Sequence, residues 1–315
     1  MSRAGTALLS VVALTAMAGC GAIKRLAIGQ VGDALAAGGS VYESDDDLTL
    51  VGDALPFGLK LIESLLAEVP ENLGLLTSAC QGFTSYAYVY IHQEADVMAL
   101  EDLDRARQMR ARARRLYLRA RRYGLRGLEV SHPGLSQSLA SDPATALRRV
   151  EAQDLPLLYW NAAALGLAIS VSLDDAEMLA LLPEAIALLE RALALDETWQ
   201  EGSLHDLAIS FASARPGSPP APDELRAHFD RALELSGGKR ASLFVGYAES
   251  ASIRSQDAAQ FRSLLERALA IDPDLHEEIR LANLAAQRRA RWLLGRVDEL
   301  FLEPSGVAAD PGGSP

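Results

Sequence analysis

Three groups of side chains in this 315-residue sequence have the types and spacing to hold a ligand. Phe83, Tyr86 and Tyr90 recur three and four residues apart, so on a helix they share one face. Such a face can wall a lipophilic pocket with hydroxyls at its rim, or simply pack between helices as core. Tyr159, Trp160 and Asn161 stand side by side, two aromatic rings and one amide. Arg289 and Arg291 flank Ala290 in Gln287-Arg-Arg-Ala-Arg-Trp-Leu293. Their planar guanidinium forks match a ligand carboxylate, or equally an inter-helix salt bridge. Trp160 and Trp292 read more plainly as core.

Little in the sequence points to catalysis. There is no Gly-rich phosphate loop, no Gly-x-Ser-x-Gly elbow and no Cys-x-x-Cys pair. His92, His132, His205, His228 and His276 are scattered, with none at the four-residue spacing of a helical zinc site. Asp45-Asp46-Asp47 could offer carboxylates to calcium but lacks the loop pattern; the start of the next helix suits it better. No catalytic residue, metal ligand or cofactor is expected. An enzyme reading would need a site assembled from distant residues.

The elements that must position these groups are helices. Leu189-Glu-Arg-Ala-Leu-Ala-Leu-Asp196 is echoed by Phe229-Asp-Arg-Ala-Leu-Glu-Leu-Ser236 and by Leu265-Glu-Arg-Ala-Leu-Ala-Ile-Asp272. A fainter copy runs from Ile62 to Pro70. The Arg-Ala-Leu cores begin at 191, 231 and 267, periods of 40 and 36 residues. Each phrase has one apolar helical face and ends in a turn-forming residue. This is the signature of stacked helix-turn-helix units of tetratricopeptide type, in which neighbours must stack to build a core. The expected fold class is all-α, a tetratricopeptide-like helical-repeat solenoid.

Further helices are expected over 23–36, from the acidic trio to about Val69, over Leu73–Asp96 and over Asp102–Glu129. Ser131-His-Pro-Gly134 then breaks the chain, and Asp142-Pro143 opens a short helix with Asp as N-cap. Asp154 is placed to cap 155–171, and Asp174-Asp175 the helix ending in the first phrase. Arg215 to Pro222 is turn-rich, and the last helix runs from Glu277 to about Leu302. Residues 303–315 read as a disordered tail.

Charge patterning singles out one segment. Ten arginines and no acid lie between Arg105 and Arg126, although the chain as a whole has a net charge of −12. Ala106, Met109, Ala113, Leu116, Ala120 and Tyr123 step three and four apart, which predicts the buried stripe. The arginines take the rest of the circumference, to pair with acidic neighbours or an acidic partner surface. Nucleic acid is not the expected partner of so acidic a chain.

The first residues are a separate matter. Arg3 precedes an uncharged apolar run, Ala4–Ala18, too short to span a membrane, and the run ends Met17-Ala-Gly-Cys20. Small residues before a cysteine resemble the bacterial lipobox, with Met17 where Leu is usual. That resemblance implies a leader over 1–19, acylation of Cys20 and stable membrane attachment. Gly21 after the cysteine leans toward the outer membrane. The helical domain would then span 20–302. Cys80, in an apolar run, reads as a small buried hydrophobe.

From about Ile23 to Phe301 the chain resembles the TatT family, the T component of TRAP-associated periplasmic systems. The resemblance rests on Gly38-Gly-Ser40 with Asp45-Asp-Asp47, Leu116-Tyr-Leu-Arg-Ala-Arg121, Tyr123-Gly-Leu-Arg126, His132-Pro-Gly134 and Leu158-Tyr-Trp160. It continues through His228-Phe229, Ser236-Gly-Gly-Lys239, Leu281-Ala-Asn283 and Arg289-Ala-Arg-Trp292. It implies cryptic tetratricopeptide-like repeats, a homotrimer with a tunnel in each subunit, and a TRAP-type periplasmic substrate-binding protein as partner. The implied ligand is a hydrophobic small molecule, such as a fatty or other organic acid. Phe83, Tyr86, Tyr90, Tyr159, Trp160 and Asn161 would be tunnel-lining candidates. The rival reading is a lipoprotein scaffold for cell-envelope assembly whose concave face binds peptide.

Overall fold

The computed structural model describes residues 29–30, 39–211 and 221–302. Cys20, most of 23–36, most of the turn-rich loop before Pro222 and the tail from 303 lie outside the described residues. All regular structure among the described residues is helical. The chain falls into two compact units, one ending at Leu195 and the other beginning at Asp196, with Glu43–Leu48 counted in the second.

The first unit is built on α1 (Leu48–Glu68), α2 (Leu73–Ala87), α3 (Leu103–Ser131), α4 (Leu155–Ser170) and α5 (Leu182–Leu195). α2 opens where the Asn72 side chain accepts the Leu75 N–H at 2.8 Å, satisfying one of the free amides of the first turn. It continues through a π-helical turn, Tyr88–His92, into Gln93–Met98. α3 opens the same way, with Asp102 accepting from the Arg105 N–H at 2.9 Å, and ends before His132-Pro-Gly134.

α3 packs on α2 and α4, and α4 on α5. Its buried face is Ala106, Ala113, Tyr117, Ala120, Gly124, Gly127 and Leu128. The expected stripe is therefore displaced: Met109, Leu116 and Tyr123 sit half-buried at its edge. The cause is the glycines, which carry no hydropathy signal but allow α4 to seat directly on the α3 backbone. A Cβ on Gly124 would lie 2.3 Å from Asn161 Nδ2, and one on Gly127 would lie 2.8 Å from Leu157 Cδ2. With that face closed, the arginines line its two flanks. Arg110 pairs with Asp96 at 3.0 Å, Arg114 with Asp175 at 2.5 Å and Arg119 with Glu63 at 2.5 Å. Arg121 grips Glu184 with two bonds, at 2.7 and 2.8 Å, and Arg126 donates to the Pro70 carbonyl.

Two expected caps differ in detail. Asp154 does not cap α4; its carboxylate turns inward, 2.8 Å from His132 Nε2, and also accepts the Glu151 N–H. A carboxylate only 3% exposed prefers an imidazole partner to a free helix end. Asp175 does cap, but a short helix, Ala176–Leu179, that stops before α5 begins. Asp142 caps Pro143–Ala146 as expected.

The second unit comprises α6 (Ser203–Phe211), α7 (Pro222–Ser236), α8 (Ala241–Tyr247), α9 (Ala258–Leu269) and α10 (Arg280–Leu294). α7 has Pro at its first position and stops at Gly237, whose φ of 61° suits glycine. α8 also runs into a π-helical turn, Ala248–Ser252. Phe229, Phe244, Tyr247, Phe261 and Leu265 are among the residues of its core. The expected last helix is interrupted: a 3-10 turn at Glu277–Ile279 precedes α10, and Val297–Leu300 follows it.

The repeated phrase proves to be a packing rule. Its first residue is buried in all three copies (Leu189, Phe229, Leu265), and so is its alanine (Ala192, Ala232, Ala268). The arginine between them differs each time. Arg191 donates to the Val150 carbonyl, Arg231 pairs with Glu197, and Arg267 lies 4.5 Å over the Phe244 ring. In the faint copy Leu66 is buried while Ile62 and Leu65 are half-buried, so it keeps a different register.

Gly124→Ala tests the close approach of α3 and α4. The added methyl meets a packed side chain, so the variant should lose about 1–3 kcal/mol by urea denaturation. Unchanged stability would mean that the two helices can part without cost.

Candidate functional site

The aromatic candidates gather in the first unit. Phe83 is 3% exposed and belongs to a core cluster with Leu75, Ala79, Cys80 and Ala120, against which Tyr86 and Trp160 pack. Its ring stacks on Tyr123 at 5.9 Å, with the Arg119 guanidinium 4.8 Å from its centroid. Tyr86 and Tyr90 lie 5.6 Å apart, and Tyr159 meets Trp160 edge-on at 4.9 Å. Asn161 is wholly buried in an otherwise apolar helix. Its Nδ2 donates to the Leu157 carbonyl at 3.0 Å, while its Oδ1 has no donor. Cys80, one helix away in the same core, has its thiol pushed well up by burial and is inert as a nucleophile.

Arg289 and Arg291 belong to the second unit. Arg289 reaches Glu249 at 2.6 Å and stacks 4.3 Å over Trp292, whose other neighbour is Arg296 at 4.6 Å. Arg291 is exposed. The two arginines thus stand in different surroundings and form no common fork.

Glu63 on α1 is the polar node of the first unit. It accepts from Lys60 at 2.7 Å, from Arg119 Nε at 2.6 Å and from the Tyr123 hydroxyl at 2.6 Å. Burial raises the Glu63 carboxyl, but the hydrogen bonds from Lys60 and Tyr123 and the Arg119 charge outweigh it and leave the pKa below the usual range. The same contact holds the Tyr123 proton on: burial and Glu63 push that phenol up.

Two side chains of the π-helical turn face different helices. Tyr90 lies against Gly52 of α1, where an added Cβ would be 2.6 Å from its ring. His92 turns to α3, with its Nδ1 3.1 Å from the Tyr117 hydroxyl. Burial, then Tyr88 and Asp96, keep that phenol protonated, and the His92 tautomer sets which of the two donates. His92 lines an open, polar cleft of about 360 Å³ with Asp96, Arg110, Ser170, Val171, Leu173 and Asp174. Ser170 spends its hydroxyl on the Leu167 carbonyl, so the cleft presents charge and hydrogen-bond capacity without an activated nucleophile.

One pairing is invisible in the sequence. His205 on α6 and His228 on α7 meet Nδ1 to Nδ1 at 2.8 Å, 23 residues apart. Glu197 lies 3.4 Å from His205 Nε2 and is itself held by Arg231. Burial pushes His205 below the usual imidazole range, against the pull of Glu197. Two facing Nδ1 atoms share a single proton, so one ring donates and the other accepts.

Helical hairpins, an aromatic interior with a buried amide, and no metal-holding cluster among the described residues define an all-α helical-repeat protein. Residues 44–301 match the TRAP transporter T-component family, and the chain belongs to that family. It is therefore an accessory component of a TRAP transport system. The chain is also similar, at 29% identity over 269 residues, to a protein of Treponema pallidum (strain Nichols) described as uncharacterized. That similarity covers 84% of this chain and 83% of the relative.

Glu63→Gln separates charge from shape at the polar node. The folded pKa lies below the ordinary value of about 4.3, so the stabilisation is complete above that pH and is lost as pH falls through the folded pKa. The variant should be less stable than the parent at pH 7, on the order of 2 kcal/mol. Urea midpoints should converge at an acid pH below the folded pKa. A gap of equal size at both pH values would mean that the lost contact is not ionic.

Proposed function

We propose that this chain binds the substrate-binding protein of its TRAP system and holds a hydrophobic small molecule, such as a fatty or other organic acid. It works by selective binding, not as an enzyme. It acts in the periplasm as a homotrimer, tethered by acylated Cys20 to a membrane, the outer one favoured. The observation that carries the ligand reading is Asn161. A buried acceptor without a donor costs about 1–3 kcal/mol, which a well-packed leucine would avoid. On this reading a ligand hydroxyl or protonated carboxyl supplies that donor.

The open polar cleft at His92, Asp96 and Arg110 supports a second reading, in which the chain is an envelope-assembly scaffold that takes up peptide.

Native mass spectrometry of the chain from Gly21 onward, purified without added lipid, separates the two. A trimer with extra mass that organic solvent strips as a fatty acid supports the ligand reading. A bare monomer that takes up peptides but no lipophile supports the scaffold. In the first case Asn161→Leu should cut bound cargo about tenfold without lowering stability, because an apolar replacement removes an unsatisfied group. Full occupancy in that variant would move the ligand elsewhere. The tether is tested separately: Cys20→Ala should release the protein from the membrane fraction, and unchanged association would exclude acylation as the anchor.

A further inference from the structure

The arginines of α3 divide into two sets. Six of the ten between 105 and 126 are engaged: Arg107 with Asp104, Arg110, Arg114, Arg119 and Arg121 with the acids named above, and Arg126 with a carbonyl. The side chains of Arg105, Arg112, Arg115 and Arg122 are exposed and have no partner among the described residues. Their spacing of seven, three and seven residues confines them to about 100° of the helix circumference, along about 25 Å of its axis. On a chain of net charge −12, this is a basic stripe along one side of a 29-residue helix.

We infer that this stripe docks the protein on an anionic phospholipid surface. Arginine forks match phosphate oxygens in bidentate geometry, and the stripe contains no lysine. It also lacks what a protein interface draws its energy from. From Asp104 onward, the other exposed residues of α3 are Asp104, Arg107, Gln108 and Ala111, with no aromatic or large aliphatic anchor among them. A flat bilayer needs no such anchor.

The acidic remainder of the chain does not forbid the contact. Charges more than about 8 Å from the surface are screened at physiological salt, so the acids elsewhere orient the molecule more than they repel it. Glu101, Asp102 and Asp104 crowd the Arg105 end in sequence, Glu129 follows Arg122 by seven residues, and Glu63 is already held by Arg119. Arg112, Arg115 and Arg122 therefore carry most of the attraction. The surface is separate from the aromatic interior and does not depend on what that interior binds. It would supply the second, electrostatic attachment that helps one lipid tether hold a protein flat on a membrane.

The test is co-sedimentation of the chain from Gly21 onward, which contains every described residue, with phosphatidylcholine vesicles containing or lacking phosphatidylglycerol. The chain should pellet with the anionic vesicles alone, and high salt should release it. Each arginine removed should weaken partitioning about fivefold, so Arg112→Gln/Arg115→Gln/Arg122→Gln should lose about a hundredfold. Arg226→Gln, which loses an exposed pair with Asp230, should bind as the parent does. Circular dichroism checks that the triple variant is folded. Absence of binding to anionic vesicles, or equal binding by the triple variant, overturns the proposal. Stripe-dependent capture of an acidic protein without any vesicle binding also overturns it and makes the stripe a protein contact.

Discussion

The close seating of α4 on the glycines of α3 is the constraint on which the first unit depends. Gly124 and Gly127 present bare backbone to Asn161 and Leu157, so the two helices approach until side chain meets main chain. At that separation a 29-residue helix can bury alanine, glycine and a whole tyrosine on one side and still keep arginines on both flanks. Those flanking charges fall where α1, the Gln93–Met98 segment, Asp175 and α5 supply carboxylates. Arg121 and Glu184 show what is at stake. Glu184 is 5% exposed, and without Arg121 its charge would be left buried and unpaired, a loss of about 3–5 kcal/mol. Helix separation thus fixes register, and register fixes the ion pairs.

Both units carry a helix into a π-helical turn, Tyr88–His92 in one and Ala248–Ser252 in the other. A π turn inserts one residue and rotates the helix beyond it, so it redirects side chains that an α-helix would align. In the first unit the turn carries Tyr90, which faces α1, and His92, which meets Tyr117. In the second it carries Glu249 to Arg289, whose guanidinium then lies over Trp292. Each turn bears a titratable side chain tied to a neighbouring helix. The turn is thereby held in place by a polar contact as well as by packing.

What could be read from the sequence depends on which interactions are local. The repeated phrase was legible because burying its leading apolar residue and its alanine is a helix-period pattern, and it holds in all three full copies. The helix starts at Asn72, Asp102 and Asp142 come from side chain and amide a few residues apart. The buried face of α3 was misplaced because glycine is silent in a hydropathy pattern, and because Tyr117 looks amphipathic until the structure closes over it. Asp154 was misread for the opposite reason: its partner, His132, is 22 residues away. The His205–His228 pair and the π turns depend on which helices become neighbours, and no spacing rule encodes that. Of the site candidates, the aromatic set and Asn161 came together in one unit, whereas Arg289 found Glu249 at a separation of 40 residues.

On the proposed reading, Asn161 is where stability and function pull apart. Its neighbours on α4, Ala162, Ala163, Ala164 and Leu165, are what a buried helix against a glycine-faced partner calls for. An amide in that row adds nothing to packing that leucine or alanine would not, and it leaves Oδ1 without a donor. Specificity between helices is not a sufficient reason for it, because its one hydrogen bond runs to Leu157 within its own helix. A structural polar residue would reach across to α3 or α2 and fix their register. Under the proposed ligand reading, the unpaired Oδ1 is the acceptor that a molecule arriving with a proton to share would satisfy.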